Sequence, residues 1–502
     1  MKERFEILNY KYRILILTFL FFLVITALCP LSGEDLGYYL ISKGNIFDNI
    51  DILDGRIITE LLVPFFCGNK LLFNIVFSFL VSLFVYECNN ALGIVKCKHY
   101  YLFPFLNLLL VSVFTFSYSY MSVSSTVTYT FPALLIFIYF LKIVKREDYL
   151  FKFNDYVLIT LVVLYVSFSS VFIGLTFALT NFFFYLLCLK RKRNISNIYI
   201  LILILQVLAV VTSFTFIDKT LFYKNVNTML SFLPSYIDNV FSKNIVIVFL
   251  SVIPINYYLN DKLGDFVYKR VIITFFDAIV AFSITYNFYY YVPVNMNLVI
   301  SKYFGVFATE NWYYIFYYLI YYVLYFCTIR HFVKSKKVKD ILTILYLSTI
   351  FLNAFNLLSP MWDVGNTIYN IFFMILSLSV LFKDIEIKIY PKFTILVLTL
   401  LVLYYVSMFG VIKYIDETRE DYIDEQVEAK SKIVEVKANP LYLVWRYNPV
   451  NFFQEKDFKL YYDIPEDSQI EVKYFGVFEK IKNKVKEWYY EKKVIISYCT
   501  LL

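Results

Sequence analysis

Two adjacent carboxylates, Glu34 and Asp35, stand just past the first apolar run, in Pro30-Leu-Ser-Gly-Glu34-Asp35-Leu-Gly-Tyr38-Tyr39. A charge at the rim of a bilayer is costly unless it is paired or used. A carboxylate there can take up a proton or orient a nucleophile. Neighbours on a helix do not share a face, so one of the two is expected to point inward. Other chemistries are poorly served. The chain has two histidines, His99 and His331, and seven cysteines with no CxxC pair. A histidine-based metal site, a zinc site and a disulfide framework are therefore disfavoured. Neither GxxxxGKS nor GxGxxG occurs, which disfavours a nucleotide-driven machine.

The elements that must hold such a pair are apolar. Of 502 residues, 60% are hydrophobic, 21% aromatic and 17% charged, and the mean hydropathy is +0.64. Soluble chains carry about 25% charged residues, so a soluble enzyme is excluded. The abundance of Phe, Tyr, Ile and Leu excludes disorder. Runs long enough to cross a bilayer fall near 13–30, 69–87, 100–117, 127–142, 155–169, 171–189, 196–217, 245–260, 270–290, 312–329, 340–358, 366–382 and 392–412. The expected fold is an all-α polytopic membrane bundle of about thirteen spans. The first run exceeds a signal-peptide core, and no small-residue cleavage site follows Pro30, so it reads as a retained span.

Charge placement tests this map. With the N-terminus in the cytoplasm, 25 Lys and Arg fall in cytoplasmic segments, and seven fall in the outer loops. That is the positive-inside bias, and one missed span would invert it downstream. The loops 31–68, 217–244 and 290–311 then lie outside, with the last ninety or so residues. The cluster Lys190–Arg193 reads as a topology signal near anionic headgroups, not as a nucleic-acid site.

Within the first outer loop, Leu53, Ile57 and Leu61 repeat at i+4, as do Ile58 and Leu62, and Arg56 and Glu60 form an i,i+4 pair. This predicts an amphipathic helix on the outer surface. The span domain is expected to cover residues 1–412, and a small extracytoplasmic α/β module 413–502. In that module a charged helix, 414–432, leaves the membrane. Strands are expected at Ser431–Val436, Phe458–Tyr462, Ile470–Phe475 and Lys493–Tyr498, and a helix at Val477–Glu491.

The order of these features resembles a known class. A first span, a Glu-Asp pair with an aromatic three or four residues on, and a Gly55-Arg56 opening a surface helix look like the GT-C membrane glycosyltransferases. The whole chain is similar to a poorly characterised bacterial branch of that class, and to O-antigen glucosyltransferases. Three further stretches carry the likeness: Tyr120-Met-Ser-Val-Ser-Ser-Thr-Val-Thr-Tyr129-Thr-Phe-Pro132, Ser359-Pro360, and the tail from Asn439-Pro440 to Tyr461-Tyr462. The likeness spreads over nearly all of the chain. The sequence departs from the branch in Tyr120-Met-Ser-Val before Tyr129, in Met361-Trp362-Asp363-Val364 after Ser-Pro, and in Gly174–Asn181, which lacks an expected Glu.

The resemblance implies a hexosyltransferase of the bacterial cytoplasmic membrane. An acceptor hydroxyl attacks the anomeric carbon of a polyprenyl-phosphate-linked sugar, and a surface glycan, lipid or teichoic-acid-like molecule is glycosylated during cell-envelope polysaccharide assembly. On that reading Asp35 is the base, with Glu34 as its partner. Arg56, backed by Lys219 and Lys224, meets the donor phosphate, and Tyr38, Tyr129 and Trp362 stack on sugar rings. A divalent cation, Mg or Mn, would be held by Glu34 and Asp35. The structural alternatives are a solvated acidic flank for the pair, a surface ion pair with Glu60 for Arg56, and interfacial anchoring for the tyrosines. A flippase for lipid-linked sugar is the rival function. It would need a charge at the midplane, where Asp277 lies in a span; Asp277 could equally be a carboxylate bonded to a neighbouring helix. A non-catalytic scaffold, or a polymerase subunit, is the third reading.

Overall fold

A computed structural model describes residues 2–31, 33–44, 56–94, 100–111, 116, 120–145, 153–191, 197–215, 244–291, 312–356, 367–388, 390–437 and 455–473. Sixteen helices longer than a single turn are described: α1 Lys2–Leu28, α2 Glu34–Lys43, α3 Ile57–Gly68, α4 Lys70–Ala91, α5 Phe103–Leu109, α6 Phe131–Lys145, α7 Phe153–Ser169, α8 Val171–Lys190, α9 Asn197–Thr215, α10 Ile245–Leu263, α11 Lys269–Tyr291, α12 Trp312–Phe332, α13 Lys336–Asn356, α14 Ile368–Asp384, α15 Pro391–Glu428 and α16 Glu455–Tyr461. Two strands, β1 Ile433–Lys437 and β2 Gln469–Lys473, pair in parallel.

Every one of the thirteen apolar runs contains a described helix. Among the described residues, five helical segments, beginning at Lys70, Val123, Val171, Lys336 and Pro391, are long and apolar enough to cross a membrane. Helices suit these sequences because each satisfies its own backbone polar groups, which a bilayer interior cannot do. α9 is built inside out. Leu201, Ile204, Leu208 and Val211 are exposed, whereas Tyr199, Gln206 and Ser213 are buried. Such apolar outer faces fit lipid rather than water. Inside, polar side chains tie helices together. Asn181 on α8 donates to Gln206 at 3.1 Å and accepts from Tyr199 at 3.0 Å. Asn370 on α14 donates to Asn353 on α13 at 2.8 Å.

α14 is the axis of the bundle, with nearly all of its side chains buried. Aromatic rings fill the space beside it. Phe372 packs edge-on against Phe84 at 5.1 Å and stacks on Tyr120 at 6.1 Å, and Phe116 stacks on Tyr405 at 4.3 Å. The end of the bundle away from Asp35 is closed by charge. Arg191 pairs with Asp340, Lys334 with Glu386, and Lys383 donates to the Leu92 carbonyl at 2.7 Å.

The tail departs from expectation in one element. Phe458–Tyr462 is not a strand; it lies in α16 and the turn that ends it. Aromatic residues suit a strand as well as a helix. However, Glu455 and Asp457 favour a helix N-terminus, and Phe458, Tyr461 and Tyr462 share a face at i, i+3 and i+4. The strands at 433–437 and 469–473 match two of the expected segments. Lys493–Tyr498 and Val477–Glu491 lie outside the described residues. The charged helix expected at 414–432 is the outer part of α15, which ends at Glu428. α15 runs 38 residues without interruption, about 57 Å at 1.5 Å per residue, from the bundle into the module.

Candidate functional site

α2 begins after Gly33, whose positive φ of 60° turns the chain sharply off the end of α1. The acidic pair then divides. Glu34 is exposed, while Asp35 is fully buried. Asp35 meets the start of a short helical turn, Val123–Ser125, preceded by Ser122 in an extended conformation. Its Oδ1 accepts the Ser124 N–H at 2.8 Å and the Ser122 hydroxyl at 3.3 Å, and its Oδ2 accepts the Val123 N–H at 3.0 Å. The first N–H groups of a helix have no partner within it. Asp35 supplies that partner from 88 residues away, acting as a cap in trans.

The turn continues as a π-helical segment, Thr126–Thr130, wholly buried, before α6. Such segments distort the helix and frequently mark functional positions. Tyr165 of α7 holds this one by donating to the Val127 carbonyl at 2.8 Å. At its end Tyr129 meets Arg56, the residue preceding α3. The guanidinium donates to the Tyr129 hydroxyl at 3.2 Å and lies 5.6 Å from the ring centroid. Thr59 anchors α3 by donating to the Ser169 carbonyl at 3.1 Å. Tyr38 donates to Glu60 at 3.1 Å. Burial, together with the negative charge of Glu60, pushes the Tyr38 hydroxyl above the usual tyrosine range.

The acidic loop, the surface helix and the Tyr120–Pro132 element thus meet at one end of the bundle. Glu34, Asp35, Tyr38, Arg56 and Tyr129 all belong there. Lys219, Lys224 and Trp362 lie outside the described residues. Arg56 and Glu60 are each committed to an aromatic hydroxyl, Tyr129 and Tyr38 respectively. Tyr129 is 4% exposed, with its hydroxyl on Arg56, so its ring is not open to a sugar in this conformation.

Reading the sequence did not single out Ser122, Ser124, Cys67 or Lys70. Ser122 and Ser124 show no special spacing, because they matter only as the turn that Asp35 caps. Cys67 is buried near Asp35, and its thiol is pushed up by burial and by that carboxylate. Lys70, the first residue of α4, has its amine buried 4.7 Å over the Phe73 ring with no hydrogen-bond acceptor among the described residues. Its position at the mouth of a span was the available signal. Beside it Leu71 is 71% exposed, which places the amine at the edge of the lipid-facing surface.

The residues present do not fit the expected divalent cation. N–H donors, not a cation, face both Asp35 oxygens, and Glu34 points away to solvent. No cluster of three or more His, Cys, Asp or Glu suited to a metal occurs among the described residues. Asp277, the residue the transport reading relied on, accepts two bonds from the Asn256 amide of α10, at 2.9 and 3.1 Å. That is the helix-to-helix arrangement given as its structural alternative.

Compared with known proteins, the chain matches no family model, no curated protein sequence and no solved structure at significance.

Proposed function

We propose that this membrane-embedded helical protein is a GT-C-like glycosyltransferase. Its thirteen spans would place the N-terminus in the cytoplasm of a bacterial cell and the tail module outside. It would move a sugar from a polyprenyl phosphate to a surface glycan, lipid or teichoic-acid-like acceptor. The observation that carries the reading is the meeting of α2, the start of α3 and the Ser122–Tyr129 segment at one end of the bundle, beside the lipid-facing start of α4. A lipid-borne donor and a water-borne acceptor can both reach such a rim.

The roles within the pair are divided. Asp35 is the positioning residue: it ties α2 to the turn that leads to Tyr129. Glu34 is the carboxylate open to water, able to accept the proton of the acceptor hydroxyl as it attacks the anomeric carbon. Arg56, steadied by Tyr129, and the amine of Lys70 offer positive charge to the departing lipid phosphate. No step is routed through a metal.

The test is transfer of labelled sugar from a polyprenyl phosphate to membrane acceptors by the purified protein in proteoliposomes. Glu34→Gln is expected to abolish transfer while leaving thermal stability unchanged. Arg56→Ala is expected to weaken donor use. Wild-type activity that survives both substitutions would remove the site assignment. A wild-type protein inert toward every polyprenyl-phosphate sugar would remove the function.

A further inference from the structure

The C-terminal module has a core of its own, made of Ile423, Val434, Val436, Phe458, Tyr462 and Ile464, yet that core also includes Leu36 of α2, 3% exposed. Leu36 is the residue next to Asp35. Two further contacts fasten the same helix to α16. The Tyr39 and Tyr461 rings meet edge to face at 5.5 Å. At Gly37 the fit is close enough that a Cβ would come within 2.7 Å of the Asp457 carboxylate. α2 therefore has two faces with two duties. One sends Asp35 into the bundle to cap the Ser122 turn, and the other completes the core of the tail.

The module is itself stiff where it joins the bundle. β1 is held against α15 by Gln426, whose side-chain amide exchanges bonds with the Glu435 backbone at 2.7 and 3.0 Å, in the manner of a neighbouring strand. Arg419, 3% exposed, donates to the Lys437 carbonyl at 2.8 Å and pairs with Asp416. α15 is continuous with the last span, so the module is anchored to the membrane domain from below and grips α2 from above. At its far end α2 presses on α3, where Ser42 lies so near Gly68 that an added Cβ would fall 2.7 Å from its hydroxyl oxygen.

We infer that the C-terminal module is the clamp that seats α2, so that docking of α16 on Leu36, Gly37 and Tyr39 holds Asp35 on the Ser122 turn and sets the position of Glu34. A module that let go would free α2 between Gly33 and Gly44 and uncover the interior beside Cys67. The inference rests on the proposed function only for its consequence in catalysis; the mechanical coupling stands without it.

The test uses the full chain with Cys67 as its only native cysteine. An ideal Cβ on Gly37 lies 3.8 Å from the Asp457 Cβ, the mean separation in disulfides, about 3.8 Å. Gly37→Cys with Asp457→Cys is therefore expected to crosslink under mild oxidation. Gly37→Leu, which drives a side chain into Asp457, and Phe458→Ala, which hollows the module core, are each expected to raise the rate of Cys67 labelling by a water-soluble maleimide roughly tenfold, as local opening becomes easier. The 37–457 disulfide is expected to restore protection in Phe458→Ala, and a reductant to reverse it. Failure of the pair to crosslink, or Cys67 staying protected in both loosened variants, overturns the clamp. Sugar transfer is followed in the same samples. If no variant or wild type transfers sugar but the thiol pattern holds, the function fails and the clamp survives.

Discussion

The carboxylate of Asp35 accepts the backbone N–H of Ser124 at 2.8 Å, a bond between the first outer loop and the entrance to α6. Its geometry makes Asp35 an organiser of the site. Asp35→Ala would leave the Val123 and Ser124 N–H groups without their carboxylate in a fully buried place. An unmet buried donor costs about 1–3 kcal/mol, so the purified variant is expected to melt measurably lower than wild type. Ser122→Ala, which loses a 3.3 Å bond to Asp35 and a 3.0 Å bond with the Ser124 hydroxyl but leaves both N–H groups capped, should cost less, about 1 kcal/mol. Equal melting of Asp35→Ala and wild type would show that the cap does not matter.

Arg56 and Tyr129 can be separated by their chemistry. Tyr129→Phe keeps the ring under the guanidinium and removes the hydroxyl at 3.2 Å, for a loss of about 1 kcal/mol. Arg56→Lys loses both the planar stacking and the directed bond. Donor KM in the transfer assay should rise more for Arg56→Lys than for Tyr129→Phe. The reverse order would place the phosphate contact elsewhere.

Two glycines make a matched pair. At Gly174 an added Cβ would stand 2.8 Å from the Ser167 carbonyl oxygen and 3.0 Å from its Cα. That neighbour is backbone at the α7–α8 junction and cannot swing aside. Gly174→Ala should cost about 1–3 kcal/mol through overpacking. At Gly410, within α15, a Cβ meets nothing within 4 Å, and alanine should gain roughly 0.5–1 kcal/mol there. Thermal melting in one detergent compares the two directly.

Tyr461 gives the clamp a pH signature. Burial, with Asp416, Glu420 and Tyr39 nearby, pushes its hydroxyl from 10.0 up to about 12. A raised value means that the neutral form favours the docked module. The contribution is complete below the ordinary tyrosine range and is lost as pH climbs through about 12. The tyrosinate absorbance difference between wild type and Tyr461→Phe should therefore titrate near 12, not near 10.0. Titration near the ordinary value would mean that the ring is not held against α2.

Sidedness is open to thiol labelling in a background without native cysteines. Lys43, at the Asp35 end, and Glu386, at the opposite end beside Lys334, are both exposed. Lys43→Cys should react with an impermeant reagent on intact cells, and Glu386→Cys only after permeabilisation. Reaction of Glu386→Cys on intact cells would invert the proposed topology.

Much of the architecture could be read from the chain before any coordinates. A lipid-crossing helix is a local object: some twenty apolar residues with basic flanks declare it without reference to the rest. For that reason each expected run contains a described helix, although the one within 100–117 has only seven residues, and β1 and β2 overlap two of the four expected strands. The segment around Phe458 is a helix and not the expected strand, because isolated aromatic residues suit either. Packing of Phe458 and Tyr462 into a shared core decided the matter.

The site divides along the same line. Local sequence was enough to mark Glu34, Asp35, Arg56 and Tyr129 as residues to watch, and to say that only one acid of the pair would turn inward. It could not say which acid, nor that the buried one would be met by backbone N–H groups 88 residues away. Peptide groups are identical at every position, so a cap supplied in trans leaves no trace in residue type. The sharing of Leu36 between α2 and the tail is likewise a matter of two distant segments burying one apolar surface together. Hydrophobicity named both segments as sticky, but it is non-directional, and only the three-dimensional arrangement chose the partner.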